Sequence, residues 1–412
     1  MVKISRYVLV LIGIIVTAIA IPELYWTIFR GTYRLPGVMY SQVIDDFILA
    51  QPGDEGTIYS DPSGNTYTVD EAEQKLPLLS HRQLYADGIM PDSLKGVPLD
   101  HETISTHRAS YMFNPRNFQT PSPLLWPLLE SRSGRASLSL PEDFFRLDES
   151  IEFIVAETNQ VDREKSRVFN QALLREGFVF PADLVAGIPT ARKSRDDGYF
   201  ITDHTGALFH LKMVQGEPYV SSIETPDEMD VIFIECVDMS SRELFAYVYT
   251  ASNNVFMLLQ EDYRLQQLPI SEFNFRADRL RIRHDLFGKT ISHIKEDRLF
   301  VKRINKSYEQ IDQYETSWSA RHERPDYRMF SYLFPFELRL EKPESEYIGF
   351  FLQFTSGYYW GIFHILLLGI TVWLIKRKKQ PVRKHIPDLV LVLLTGLFGF
   401  IAVRVFPNRF YD

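Results

Sequence analysis

A chain of 412 residues with a single cysteine, a formal net charge of −8 and 24% charged residues has room for one large domain or two small ones and holds no disulfide framework. Its acidic balance disfavours nucleic acid and anionic lipid headgroups as ligands, because like charges repel. Mean hydropathy is slightly negative although three apolar segments bracket the chain, so the central region must be distinctly polar and exposed to water.

The first apolar segment runs from Tyr7 to Tyr25, with Lys3 and Arg6 before it and Trp26 and Phe29 after it. About 20 apolar residues cross a hydrocarbon core of about 30 Å, and Tyr and Trp at the far end fit an interfacial belt. Ala18-Ile19-Ala20 also reads as a signal-peptide cleavage site behind a basic start. Apolar and aromatic character continues past that site, which favours an uncleaved anchor. Either outcome sends the following residues across the membrane.

Gly31 to Asp54 connects the anchor to a hairpin signal: Thr57–Ser60, the turn Asp61-Pro62-Ser63-Gly64, then Asn65–Val69. Asp70 is the expected cap of a short helix, and a second helix is expected from Leu78 to Ala86, stopped by Asp87-Gly88. Ile89 to Leu140 is rich in Pro, Ser and Arg and reads as an irregular excursion. A helix is predicted from Val161 to Arg175, with Val168, Phe169, Ala172 and Leu173 on one face and Gly177 as its stop.

Strands dominate from Phe178 onward. Tyr199–Asp203 and Ala207–Lys212 flank His204-Thr205-Gly206, Phe245–Thr250 and Val255–Leu259 flank Ser252-Asn253-Asn254, and Leu280–Asp285 and Thr290–Lys295 flank Gly288. The units recur at about 35–45 residues, the range of propeller blades. The expected fold is therefore mainly β: an extracytoplasmic propeller-like or other antiparallel β domain with a few helices, plus three transmembrane helices. An α+β arrangement fits the same pattern less well. The predicted division is an N-terminal anchor over 1–29, then a hairpin, short helices and irregular segment over 30–150. A mainly β outer domain over 151–347 and two C-terminal transmembrane helices over 348–412 complete it.

The second apolar segment spans Tyr358 to Ile375 and stops at Lys376, Arg377, Lys378 and Lys379; the third runs from Leu389 to Val405. Short cytoplasmic loops collect Lys and Arg, so this basic loop is placed inside, with Arg383 and Lys384. The N-terminus is then also inside, residues of about 30–350 outside and the C-terminus outside. Arg404 and Arg409 run against the last placement. His364 lies within the second segment, where an ionisable group is either functional or a neutral histidine bonded to a neighbouring helix.

No phosphate-cradling loop and no Gly-x-Ser-x-Gly elbow occurs. His322-Glu323-Arg324-Pro325-Asp326 lacks the second histidine of a zinc-protease helix. His204 and His210 sit on one hairpin and are the weak metal candidates; solvated hairpin histidines are the commoner case. Asp45–Asp46 and Asp196–Asp197 read as solvated turn residues, because nothing gives the two carboxyls unequal environments. Cys236 reads as a small strand residue rather than a reactive thiol. No catalytic residue, cofactor or metal is expected. An outer domain without disulfides suits a bacterial periplasm, and the expected location is the bacterial inner membrane, multi-pass, with the large domain on the periplasmic side.

Ile21-Pro22-Glu23-Leu24-Tyr25-Trp26, Leu76–Leu84 with Asp87-Gly88 and Met90-Pro91-Asp92-Ser93, and Gly198–Asp203 with Leu208–Lys212 resemble an uncharacterised bacterial membrane-protein family, classed as a domain of unknown function. The resemblance covers nearly the whole chain. Members are often encoded beside ABC-transporter ATPase and permease genes, which implies an accessory role and supplies no active-site residues. The leading expectation is thus a non-enzymatic, membrane-anchored binding or accessory protein with the lipid bilayer and an ABC-type permease and ATPase as partners. A tethered enzyme acting on an envelope polymer is the alternative, and a sensor ranks last because the inner loop is too short for a signalling domain.

Overall fold

The computed structural model describes residues 2–29, 35–53, 56–120, 124–135, 137–227, 229–341, 348–357 and 359–408. Gly31, Asp54, Tyr358 and Arg409, named above, lie outside the described residues. The chain divides into two compact units, Met1–Arg34 with Ser317–Asp412 and, inserted between these, Leu35–Thr316.

The inserted unit is mainly antiparallel β: among its described residues are five sheets of three to five strands and one small two-stranded sheet, Ser93–Leu94 with Val97–Pro98. The first holds four strands within residues 37–67, the second three strands within 143–162, and the third and fourth four each within 182–223 and 231–267. The fifth joins four strands within 279–317 to Ala109–Phe113, which lies at its edge beside Arg279–Asp285. Side chains alternate across each strand, so a central sheet can bury both faces. Tyr199, Ile201, Phe209 and Leu211 of the third sheet pack on Phe145 and Phe153 of the second. Its opposite face, Phe200 and Leu208, meets Ala246, Val248 and Leu258 of the fourth. The fourth sheet then turns Tyr247, Tyr249 and Met257 onto Leu280, Ile282 and Ile291 of the fifth.

The expected propeller is not formed. The sheets stack in a row, and among the described residues no apolar cluster joins the second sheet to the first. The regular recurrence of strand pairs reports successive antiparallel meanders. Ring closure depends on a contact between the terminal sheets, which no local pattern encodes.

Local signals hold better. The hairpin forms as Gly56–Ser60 and Thr66–Tyr67. The next helix, Val69–Lys75, is capped by Thr68 and not by Asp70: the Thr68 hydroxyl accepts from Glu71 N while Glu71 reaches back to the Thr68 backbone. The helix Arg163–Arg175 is capped by Asp162 and buries Phe169, Ala172 and Leu173. The excursion expected after Ile89 contains ordered elements, including the helix His101–His107 and the edge strand Ala109–Phe113.

Among its described residues the other unit carries two helices long and apolar enough to cross a membrane, within Ile4–Phe29 and Trp360–Arg377. Only 22% of each is buried within the protein. The third expected transmembrane helix is absent as a single element. Residues 386–405 form two short helices, Ile386–Thr395 and Leu397–Val405, broken at Gly396 with φ +59° and ψ −122°. A glycine alone adopts that conformation without strain.

Candidate ligand pocket

A cavity of about 630 Å³ lies within the inserted unit. Its rim takes Met39 and Tyr40 from the first sheet and Gln42 from the turn after them, the start of the helix Pro77–Ala86, the end of the helix His101–His107, and Arg283, Asp285 and Thr290 from the fifth sheet. Met39, Leu76, Pro77 and Leu79 supply the apolar wall.

Each cation at the rim has a local cause. Pro77 opens its helix at a position where the missing N–H is not needed, and this presents Arg82 one turn later. Asp100 caps the helix His101–His107 through Thr103 N at 2.8 Å, and Arg108 closes it by donating its backbone N–H to Ile104 O. Arg283 projects from the face of the fifth sheet opposite to Ile282 and His284. It donates to the Val38 carbonyl at 2.9 Å.

Asp285 is the one carboxylate among the described lining residues. Arg303, which is fully buried, engages both its oxygens at 2.6 and 2.8 Å and also donates to Thr290 Oγ1. Its negative charge is thereby committed, and Arg82, Arg108 and Arg283 leave the pocket positive inside an acidic protein. Burial, then the neighbouring charges of Arg281 and Arg108, pull the Arg283 pKa below its ordinary value. His81 is 2% exposed and its ring nitrogens lack well-formed hydrogen bonds; burial and then Arg108 lower its pKa. The Gln42 amide nitrogen is likewise buried without a partner.

Beside this rim lies a second polar network centred on Glu243. Glu243 takes a short ion pair from Lys289 and the Tyr308 hydroxyl at 2.9 Å, while the Tyr247 hydroxyl meets His284 Nε2 at 2.6 Å. Burial works against the Glu243 charge, but His284 and Lys289 outweigh it and hold the carboxyl down to about 2.

The metal candidates are not brought together. His204 is exposed in a turn, whereas His210 is fully buried with both ring nitrogens engaged. His210 Nε2–H donates to the Asp197 carbonyl at 2.5 Å and Nδ1 accepts from the Tyr263 hydroxyl at 2.8 Å. Among the described residues, no group of three or more His, Cys, Asp or Glu is placed to hold a metal. His101 approaches His81 with ring centroids 5.4 Å apart, and His107 bonds the Thr103 carbonyl. Cys236 is half-buried in its strand, where burial pushes its thiol up.

The acidic pairs differ from expectation in part. Asp45 is exposed and pairs with Lys95, but Asp196 is 5% exposed, forming a buried 2.5 Å pair with Lys193 and accepting from the Ser131 hydroxyl. It is structural rather than solvated. In the apolar unit, His364 is 1% exposed and Nδ1–H donates to the Leu393 carbonyl at 2.8 Å. Lys376 and Arg377 end its helix, and with Lys378 and Lys379 they remain exposed. The pocket cations were not singled out from the sequence, because Arg82, Arg108 and Arg283 come from three distant segments. The surplus of Arg across the excursion bears on Arg108 alone.

No curated protein matches the chain. One family pattern does, across residues 37–301, a stretch that contains every residue lining the pocket and well over half of the chain. The chain belongs to the family described as domain of unknown function DUF4857.

Proposed function

We propose that the chain is a non-enzymatic binding module, held at a bacterial inner membrane by its two apolar helices, whose inserted β unit takes a small ligand. The observation that carries this reading is the 630 Å³ cavity with an apolar wall and uncommitted cations, in a unit that the chain inserts between two membrane-length helices. Pockets of this size, mostly apolar with a few polar groups, suit small molecules. Hydrolysis of an envelope polymer by paired carboxylates is less well supported, because the pocket offers one carboxylate and Arg303 occupies it.

Lys376, Arg377, Lys378 and Lys379 favour the inner side for the end of the second helix, which puts the inserted unit in the periplasm. The helix Val2–Phe29 runs unbroken through Ala18-Ile19-Ala20, and Val10, Ile14, Ala18 and Tyr25 are core residues of its unit. A retained anchor fits this better than a cleaved signal. In this reading the module serves an ABC-type permease and ATPase as an accessory subunit.

The test is native mass spectrometry of the full chain released from its membrane. A small molecule is expected on the wild type and absent from Ser110→Trp, a substitution that lines the cavity on the face that carries Arg283 and puts a ring into it. Finding no retained molecule, and no compound that protects the cavity in a library screen, overturns the binding role. Affinity capture in mild detergent that brings down neither permease nor ATPase overturns the accessory role.

A further inference from the structure

We infer that the pocket takes an oxyanion, a phosphate monoester bearing a small apolar group. This rests on reading the cavity as a ligand site and deepens it. Three guanidiniums line the cavity, and those of Arg82 and Arg108 make no side-chain hydrogen bond or ion pair among the described residues. The only lining carboxylate is bound by Arg303. Gln42 Nε2 is a buried donor without an acceptor, and His81 is buried beside the same space. Buried donors left unpaired cost stability unless something accepts from them, and guanidinium groups match the geometry of phosphate oxygens. The wall formed by Met39, Leu76, Pro77 and Leu79 leaves an apolar substituent dry.

Calorimetry and thermal shift on the full chain in detergent test this, with phenyl phosphate, inorganic phosphate, short-chain phosphatidic acid and neutral benzyl alcohol as probes. Phenyl phosphate or phosphatidic acid is expected to bind more tightly than inorganic phosphate or benzyl alcohol, and which of the two wins tells a soluble ester from a lipid headgroup. Arg108→Gln and Arg82→Gln, both at exposed positions that folding tolerates, are expected to weaken that binding about tenfold each, the size of one lost charge-assisted hydrogen bond. Benzyl alcohol binding stays unchanged. Phosphate binding that ignores both substitutions overturns the proposal. If neutral compounds occupy the cavity while no phosphate does, the oxyanion falls and the binding module stands; if nothing occupies it, both fall.

A separate observation concerns the C-terminal apolar segment, which the geometry points to as a re-entrant hairpin and not a crossing. A continuous helix from Asp388 to Phe406 would separate its ends by about 27 Å. Instead Arg6 holds both ends at once, Asp388 by two 2.9 Å contacts and the Phe406 carbonyl at 2.9 Å. Asn408 donates to the Lys384 carbonyl. A Cβ on Gly399 would stand 2.7 Å from the Leu391 carbonyl, so the two short helices lie against each other. Each arm of about 15 Å reaches half the hydrocarbon thickness. At the fold, His364 bonds the Leu393 carbonyl and fills the space that a Gly396 side chain would need, satisfying backbone that lipid cannot. The C-terminus therefore shares a side with Lys376–Lys379, and Arg404 no longer conflicts with the charge bias.

Cysteine labelling tests this in a Cys236→Ser background, which is cysteine-free. A cysteine appended after Asp412, or placed by Lys379→Cys, is treated with a membrane-impermeant maleimide in intact and lysed spheroplasts. Both positions are expected to label under the same condition, opposite to Glu217→Cys in the inserted unit. Labelling of the two positions from opposite sides overturns the hairpin.

Discussion

Arg6 and Asp388 stand 382 positions apart in sequence, yet they form a two-pronged ion pair whose side chains are 7% and 6% exposed. The pair ties the start of the first helix to the start of the C-terminal hairpin. Removing one partner of a buried pair strands the other charge, at a cost of about 3–5 kcal/mol, whereas replacing both by apolar groups of similar size is often neutral. Arg6→Ala is therefore expected to lower the melting temperature in detergent far more than Arg6→Met combined with Asp388→Leu. Equal losses would assign the effect to packing rather than charge.

Gly396 supplies the break that lets the segment turn. Alanine there faces two obstacles: a backbone at φ +59° and ψ −122°, and a Cβ 2.0 Å from His364 Nε2. The backbone part alone is worth about 1–3 kcal/mol. Gly396→Ala should destabilise the wild type more than it does the His364→Ala background, where only the backbone obstacle is left. Thermal unfolding of the wild type, the two single variants and the double variant in one detergent measures the difference.

How far the sequence could be read follows from the range of the forces involved. The hairpin at Asp61-Pro62-Ser63-Gly64, the helix ended by Gly177 and the strand pairs around Gly206 and Gly288 are set by residues a few positions apart. All are present. Distances along the chain defeated the rest. An unbroken apolar run looks like a span until His364, more than twenty residues earlier, is seen to occupy the place of a side chain at Gly396. Asp196 looked solvated because its partners Lys193 and Ser131 are chosen by folding. The pocket arginines meet because Ala109–Phe113 pairs with Arg279–Asp285, a register that no local pattern carries.

The Arg303–Asp285 pair and the Arg298–Asp297 pair look alike in sequence but differ in burial. Arg303 is fully buried against a carboxylate that is 20% exposed, while Arg298 and Asp297 are 44% and 37% exposed. Asp285→Ala leaves a buried guanidinium uncompensated and should cost about 3–5 kcal/mol. Asp297→Ala removes a solvated pair and should leave stability nearly unchanged. Urea unfolding of the two variants side by side checks the ranking, and similar losses would contradict it.

His210 makes stability depend on pH in a predictable direction. Burial pulls its pKa down to about 4 from an ordinary 6.5, because the charged ring would lose its water and its bond from Tyr263. Below about pH 6.5 the unfolded chain takes up a proton that the folded chain refuses. Stability is thus full above that pH and falls as pH drops towards 4, by roughly 3 kcal/mol for this group. His81 and His284, also shifted down by burial, act in the same direction. Glu243, held at about 2, loses its contribution only below the ordinary carboxyl range. Comparison with His210→Gln isolates the one residue. The variant should be weaker at pH 7 for want of a well-fitted bond to Asp197, yet lose less than the wild type between about pH 6.5 and 4.5. Parallel pH profiles in urea unfolding would show that His210 is protonated alike in both states.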